Sequence, residues 1–562
     1  MNYRWIFRQH DDENTVHELA SSLKIPKSLA NVLVARGVRS INEAEIFFQP
    51  TLMEVHDPYL MRDMAQAVDR IIDSIKNGEL IWIHGDYDVD GTASASMLLL
   101  FLREIGAKVD YYVPDRFDEG YGLSQKSVNL AISKGASIII TVDVGITSFD
   151  SLNYAKSHNL ECLICDHHEP GDELPDVYAI LDPVRQGCDY PFKHLSACGV
   201  TFKFIQALAI KIGKPELAFE YLDFVAVASA ADMVPLVGEN RVLVHFGLNK
   251  LNNCPRPGFK GLFDCTGMKL GQITTVNIVY SLAPLINAAG RMGDALRSVD
   301  MMTQKDELKA FNIAQQLEQE NRRRRVFDEQ TFEEAIPMAE EAIEKHDVRA
   351  LVLHKPHWHA GIIGIVASRL VDRFHRPVVL LTSIDHVAKG SARSISSFDV
   401  HSALKKCNRF LLEFGGHKHA AGLSLAEANI PEFSIEFNKI ASEKISIDMT
   451  VPEIMIDSEL KFNELSPNFI DFLGSFAPFG FENYKPVFYT KNVTSQNGVK
   501  VTGKNIRFRA FQSNFAIDAI GYNLADKVKV ITSGNPFEIV YNIEQMSYNG
   551  QNSPQIYIKD IR

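Results

Sequence analysis

The sequence predicts an α/β protein built in series: a parallel-sheet domain, a long connector helix, a smaller α/β domain and an all-β C-terminal segment. Three observations carry this expectation. From Leu80 onward, short apolar runs end in Gly or Asp and are followed by helix-length segments, the alternation that produces parallel sheets. Asp306 to roughly Lys345 is charged and helical in texture. After about Val451 the chain turns to alternating apolar and polar residues separated by turn formers, which is the pattern of half-buried strands. A length of 562 residues requires several cores, because single cores stop growing near roughly 250–300 residues.

Residues 1–75 read as short amphipathic helices, with Met64, Val68 and Ile71 at helical spacing. Leu80–Ile83 leads into a helix over Ser94–Ile105, and Val109–Val113 leads through a loop into Gln125–Ser133. Ile138–Val142 leads into Ser148–His158, Cys162–Cys165 is a further strand, and Phe224–Ala230 fits a buried strand or a helix. In the connector, Pro337 should end or kink the helix. The second α/β segment has Ala350–Leu353, a helix near Ile363–Phe374, and Pro377–Leu381. In the tail, Ile506, Phe508 and Ala510 share one strand face while Arg507, Arg509 and Phe511 share the other. The expected domains are therefore 1–75, 76–302, 303–345, 346–448 and 449–562.

Composition narrows the class. Hydrophobic content of 46% and charged content of 23% fit a globular chain. No apolar run approaches the roughly 20 residues of a membrane helix, and the first residues lack a signal-peptide core, so the expected compartment is the cytoplasm. Seven cysteines, an odd number over a long chain, argue for reduced thiols. A net charge of -12 does not exclude nucleic acid, since a basic groove can sit on an acidic protein, and clustered acids can be metal ligands.

The densest chemical signal is His84-Gly85-Asp86-Tyr87-Asp88-Val89-Asp90-Gly91. Carboxylates this close repel one another unless they are protonated or bound to a cation. An EF-hand reading fails, because the closing Glu would fall at Met97. A solvated acidic loop is the bland alternative. Three further segments weigh against it: Ile138–Val142 ends in Asp143, Leu163–Cys165 ends in Asp166-His167-His168, and Phe224–Ala231 ends in Asp232. Ligands of open parallel sheets bind beyond the carboxyl ends of the strands. One such Asp could be a helix cap, whereas four apolar segments delivering Asp or His to one edge point to a hard metal site. Carboxylates with a minority of imidazole favour Mn²⁺ or Mg²⁺ over structural zinc. Cys162 and Cys165 match a CxxC spacing, but they lie within an apolar strand on opposite faces and read as core.

These motifs resemble the DHH phosphoesterase superfamily, whose signature is seen here as Asp166-His167-His168, with His84 to Gly91, Asp143 and Ala231-Asp232-Met233 beside it. The resemblance implies two Mn²⁺ ions, with Mg²⁺ the alternative, sharing a bridging Asp and activating a water that attacks phosphorus. Carried over by motif position, His84, Asp88 and Asp143 would hold one ion, and Asp90, Asp143, His167 and Asp232 the other. His168 would contact the scissile phosphate, making Asp88, Asp143 and His168 the catalytic set. Asp86 would be a ligand or a supporting group, and Asp166 would orient its neighbours.

The second lobe speaks to substrate. Gly415-Gly416-His417-Lys418-His419-Ala420-Ala421-Gly422 can present backbone N–H groups to phosphate, although composition alone would also allow a simple turn. The loop resembles the signature of the DHH-associated domain, and Lys389-Gly390-Ser391-Ala392-Arg393-Ser394 matches a second substrate-binding segment there. The resemblance assigns Ser391, Arg393, Gly415, Gly416 and His417 to phosphate contacts. His357 to Gly364 is also similar to the family, and equally a loop with a packing Trp. With the connector and a β-rich tail, the chain resembles RecJ-type exonucleases over nearly its whole length, including Ala288-Ala289-Gly290-Arg291-Met292 and Ala477-Pro478-Phe479-Gly480. The tail would then be an OB-like barrel whose Arg507, Arg509 and Phe511 face tracks nucleic acid; a core Phe511 with two solvated arginines is the alternative. Arg322 to Arg325 cover all faces of a helix and read as mostly solvated. Arg291, after a Gly turn, is the better substrate contact.

This resemblance implies 5′→3′ hydrolysis of single-stranded DNA to mononucleotides in repair and recombination. Single-stranded DNA is the expected partner, with a single-strand-binding protein and a helicase as cooperating proteins and no membrane. Two other classes compete. A DHH phosphoesterase acting on short oligonucleotides, nucleotide phosphates or cyclic dinucleotides needs only the two lobes, so the extra tail weighs against it. A non-catalytic DNA-binding scaffold would have lost its acids, and here the set is complete.

Overall fold

The structure is a computed structural model that describes residues 3–9, 12–116, 118–346, 348–548 and 551–562. Of the expected helical N-terminal segment, residues 1, 2, 10 and 11 lie outside the described residues. The chain divides into two compact units. One comprises Trp5–Asn287, Asp294–Gln315 and Met455–Arg562, and the other is built on Ala288–Gly293 and Gln316–Ile454.

In the first unit, strands β1 (Leu80–Gly85), β2 (Lys108–Tyr112), β3 (Ala136–Val142), β4 (Glu161–Cys165) and β5 (Ala179–Leu181) form a sheet in the order β2-β1-β3-β4-β5. Every pairing is parallel. The chain leaves β1 to one side for β2 and returns to the other for β3, so a topological switch lies between β1 and β3. Both faces of the sheet are covered, which is why β1, β3 and β4 are almost continuously apolar. Trp82, Ile139, Cys162 and Ile164 pack beneath the helices Gln125–Ser133 and Phe149–Ser157. The opposite face carries the helices Val89–Glu104, Ala197–Lys211 and Leu222–Ala231, which pack on one another. Phe101, Phe202, Phe204 and Phe224 are fully buried there, each contributing about 1.5–3 kcal/mol relative to exposure. Residues 224–230, open in sequence to either reading, are helical. Asp232 therefore arrives from a helix C-terminus and not from a strand end, because small alanines on every side let this helix sit wholly inside the core.

The same unit holds the tail. Five strands, β11 (Phe488–Thr502), β12 (Asn505–Gln512), β13 (Phe515–Gly521), β14 (Phe537–Tyr548) and β15 (Gln551–Ile561), pair in the order β11-β12-β13-β15-β14. Pairing of β11 with β14 closes them into a barrel. Ile506, Phe508 and Ala510 face its core, while Arg507 and Arg509 are exposed and Phe511 is half-buried. Helices Glu13–Leu23, Lys27–Ala35 and Ile41–Phe48 share that barrel's core through Leu19, Leu33 and Phe47, whereas Met64–Asn77 packs on the parallel sheet.

The connector helix runs from Glu307 to His346 and does not end at Pro337. Pro337 removes one backbone donor, but Ala335 and Ala339 on either side are buried against Leu351, Trp358, Ile363 and Leu370, which holds the helix through it. In this second unit β6 (Leu351–His354), β7 (Val378–Ile384), β8 (Val387–Arg393), β9 (Leu411–Gly416) and β10 (Ala420–Ala426) form a sheet in the order β9-β10-β8-β7-β6. Only β6 and β7 are parallel among its pairs. Of the four consecutive arginines, Arg322 pairs with Glu318, Arg323 and Arg325 are exposed, and Arg324 turns inward to Asn321.

Candidate metal centre

The acids converge at the carboxyl end of the sheet, over the switch between β1 and β3. β1 ends at Gly85, and Asp88 caps the following helix, its Oδ1 accepting from the N–H groups of Asp90 and Gly91 at 2.9 and 3.2 Å. Gly91 is required for this tight return: a Cβ there would stand 2.6 Å from the Asp86 backbone. Asp143 follows β3 with a left-handed backbone, φ +65°, a conformation that Asp tolerates better than most residues. β4 delivers Asp166, His167 and His168.

Among the described residues three overlapping donor groups result, each with ligand atoms within 4.8 Å of one another: Asp86, Asp88 and Asp143; Asp143, His167 and His168; and Asp90, His167 and Asp232. His167 Nε2 lies 3.4 Å from Asp143, 3.8 Å from Asp90 and 3.8 Å from Asp232. Those gaps exceed hydrogen-bond length and suit neighbouring ligands of one cation. Asp90 is held from behind, its two oxygens accepting the N–H groups of Ala197 and Cys198 at 2.8 Å each, at the start of the helix capped by Ser196. That helix N-terminus favours a negative charge.

The electrostatics of the cluster have one dominant cause, burial. Burial, then Asp88, pushes Asp90 up to about 7. Asp86, Asp143 and Asp232 are raised for the same first reason and by neighbouring carboxylates. Asp86 Oδ1 is buried and has no hydrogen-bond partner among the described residues. Buried carboxylates that repel one another, one with an orphaned oxygen, fit a hard divalent cation. Burial, then His168, drives His167 down to about 4, leaving a neutral imidazole suited to ligation. Asp166 behaves differently. Burial alone would raise it, but the His168 ring and the Ile146 N–H hold it below the usual range. It accepts from His168 Nδ1 at 2.7 Å and from the His167 N–H at 2.8 Å. In return His168 is raised to about 9, Asp166 outweighing the effect of burial.

The structure brings Asp86, Asp88, Asp90, Asp143, His167, His168 and Asp232 together, with Asp166 supporting them. His84, expected beside Asp88 and Asp143, instead turns its ring nitrogens to Ser127 Oγ at 2.7 Å and the Gly122 carbonyl at 3.3 Å. The carboxylate that joins Asp88 and Asp143 is that of Asp86. His84 still belongs to β1 and is fully buried, whereas Asp86 is the first residue beyond the strand. Sequence reasoning missed Tyr121, whose hydroxyl donates to the Asp143 carbonyl at 3.1 Å and whose ring meets His168 edge-on. Only its setting between Gly120 and Gly122 could have flagged it. Cys162 and Cys165 are buried, and burial raises both thiols, as core cysteines should be.

The second unit holds the other expected residues. Gly416 has φ +133°, and a Cβ on it would stand 2.5 Å from the Ala420 carbonyl, so the β9–β10 turn requires glycine there. Gly415 and His417 are exposed beside it. Arg393 Nη1 donates to Ser391 Oγ at 2.9 Å, and both side chains abut Gly364 in the first turn of the helix Ile363–Phe374. Arg291 lies in the last turn of the helix Ala283–Met292, not after a turn, since Gly290 continues that helix; its Nη1 donates to the Gly361 carbonyl at 3.2 Å.

A parallel sheet with acids and a His pair gathered over its switch point defines a DHH-type phosphoesterase. Residues 80–229 match the DHH family N-terminal domain, 347–443 the DHHA1 domain and 456–560 the RecJ OB domain. The single-stranded-DNA-specific exonuclease RecJ of Bacillus subtilis is 36% identical over 563 residues, covering 99% of this chain and 70% of that protein. The corresponding exonuclease of Dickeya dadantii is 32% identical, with 97% of each chain covered. The crystal structure of RecJ in complex with Mn²⁺ from Thermus thermophilus superposes with a TM-score of 0.86 at 25% identity, covering all of this chain and 79% of that one. The chain belongs to the RecJ family.

Proposed function

We propose that this protein is a divalent-cation-dependent exonuclease that hydrolyses single-stranded DNA. The observation that carries the chemistry is the position of Asp143, common to the Asp86–Asp88 group and to a group containing His167. In this reading Asp86, Asp88 and Asp143 would hold one Mn²⁺ or Mg²⁺ ion, and Asp90, Asp143, His167 and Asp232 would hold a second. Bound there, divalent cations supply Lewis-acid charge and lower the pKa of a bound water. The chain's own groups do the rest. Asp166 keeps His168 protonated and fixed, so His168 donates to a non-bridging oxygen of the scissile phosphate. The Ala197 and Cys198 N–H groups hold Asp90 in place. Ser391, Arg393, Gly415, Gly416, His417 and Arg291 take phosphates of the strand.

The family's likeness in sequence supports DNA as the substrate and, by the same resemblance, 5′→3′ release of mononucleotides in a cytoplasmic setting. A helicase and a single-strand-binding protein would then supply and cover the strand. Among the described residues no helix is long and apolar enough to cross a membrane. Metal analysis of the loaded protein is expected to find two ions per chain, and turnover should favour a long 5′-phosphorylated strand over a dinucleotide. Preference for the dinucleotide would move the reading to the small-substrate phosphoesterases.

A further inference from the structure

An apolar cavity of about 300 Å³ opens beside the metal centre, within the first unit. Its walls include Met233, Val276, Tyr280, Phe479, Phe481 and Tyr484. Met233 directly follows Asp232, so this wall begins about 3.8 Å along the chain from a candidate ligand. Ser229 and Ala230, from the helix that Asp232 ends, line the same cavity. The cavity therefore shares a wall with the helix and turn that carry Asp232.

The cavity is also preformed. Leu236 N–H donates to the Phe481 carbonyl at 2.9 Å, and the Thr275 hydroxyl donates to that of Phe479. These bonds fasten the barrel's Phe479–Tyr484 turn to the catalytic domain. A Cβ on Gly480 would stand 2.5 Å from Leu236, so the turn lies directly on that side chain. Yet the aromatic rings stay open: Tyr280 is 74% exposed, Tyr484 51% and Phe481 38%, with Phe481 and Tyr484 packed edge to face at 6.0 Å. Exposed apolar surface gathered in a rigid cleft marks a binding site. Open aromatic faces beside a phosphate-processing centre match one ligand in particular, a planar base attached to a phosphate.

We propose that this cavity is a nucleobase subsite, in which a base of the strand near the reacting phosphate stacks on Tyr280 and Tyr484. The proposal rests on the nuclease reading above. It adds a reason for single-strand preference: a paired base already has both faces covered by its neighbours, and only an unpaired one can enter.

The test uses the full-length Mn²⁺-loaded protein and single-stranded oligonucleotides carrying one abasic residue at successive positions, with bis(p-nitrophenyl) phosphate as a substrate without a base. In the wild type, one position near the reacting end should be sensitive, its abasic form raising KM about tenfold. Tyr280→Ala with Tyr484→Ala should raise KM for the intact strand about tenfold or more and abolish that positional effect. Melting temperature, kcat and hydrolysis of the small diester should be unchanged. Tyr280→Phe with Tyr484→Phe should restore wild-type behaviour, since stacking needs the ring and not the hydroxyl. Strand cleavage with no sensitive position, and Ala variants equal to wild type, would overturn the subsite and leave the nuclease reading intact. Altered sedimentation of the Ala variants with unchanged KM would assign the cavity to a second copy of the chain and equally overturn it. Wild-type protein that hydrolyses the small diester but no strand would overturn both.

Discussion

Asp143 stands where three constraints meet. Its N–H is tied to the Cys165 carbonyl, its backbone takes a left-handed turn at the end of β3, and its carboxylate meets two donor groups. Such local backbone cost is characteristic of functional sites. Asp143→Asn is therefore expected to abolish detectable Mn²⁺-dependent nuclease activity while leaving the fold intact by circular dichroism. Asp166→Asn, which weakens only the hold on His168, should cost about 10–100-fold, and retention of full activity by that variant would contradict the orienting role. The acids also set a pH dependence. Asp90, raised to about 7 by burial and then by Asp88, binds its proton more tightly in the folded chain than in the unfolded one. That stabilisation is complete below the ordinary aspartate range and is lost as pH rises through about 7. The metal-free protein should thus melt at lower temperature at about pH 8 than at about pH 5.5, and Mn²⁺ should raise Tm more at the higher pH. An Mn²⁺ shift equal at both pH values, measured by scanning calorimetry, would contradict this.

At the scale of elements, the sequence shows unequal legibility. Strands β1 to β4 and the helices after β1, β2 and β3 could be read within a few residues, because a doubly covered parallel sheet writes itself as apolar runs ending in Gly or Asp. The helix before Asp232 could not be distinguished from a strand, since Phe224 to Ala231 is apolar all round and carries neither a 2- nor a 3.6-residue period. That the connector does not end at Pro337 was hidden for a related reason: the sequence displays its missing donor but not the buried alanines that compensate. The clustered acids were visible as spacing, whereas the turning of His84 to Ser127 and the grouping of Asp86 with Asp88 and Asp143 depend on where β1 ends, and element boundaries are what patterns give least well. The β9–β10 turn offers a test at this scale. Gly416→Ala combines a positive φ with a clash at the Ala420 carbonyl, and should destabilise the second unit by about 1–3 kcal/mol in urea denaturation. Unchanged stability would show that the turn relaxes freely.

At the scale of the molecule, one buried cation fastens three parts of the first unit. Arg241, on the helix Gly238–Asn253, donates to the carbonyls of Phe47, Ser475, Phe476 and Ala477, and its guanidinium lies 3.8 Å from the centre of the Phe47 ring. Those carbonyls belong to the N-terminal helices and to the lead-in to the barrel, so the catalytic domain, the helices and the tail are joined at one side chain. Arg241→Met would leave four carbonyls without that donor and is expected to cost roughly 3–5 kcal/mol, with melting split into more than one transition. A single unshifted transition would remove Arg241 as the fastening.

One metal-loaded centre is expected to remove nucleotides from an end of single-stranded DNA. The most direct measurement is Mn²⁺-dependent digestion of the same oligonucleotide labelled at its 5′ or its 3′ end, as a single strand and as a blunt duplex, with the Asp143→Asn protein alongside. The expected result is immediate release of 5′ label as mononucleotide from the single strand and stepwise shortening of the 3′-labelled strand. The duplex should remain intact, and the variant should show no activity. Equal digestion of duplex and single strand would rule out single-strand specificity, and full activity in the variant would rule out Asp143 as a metal ligand.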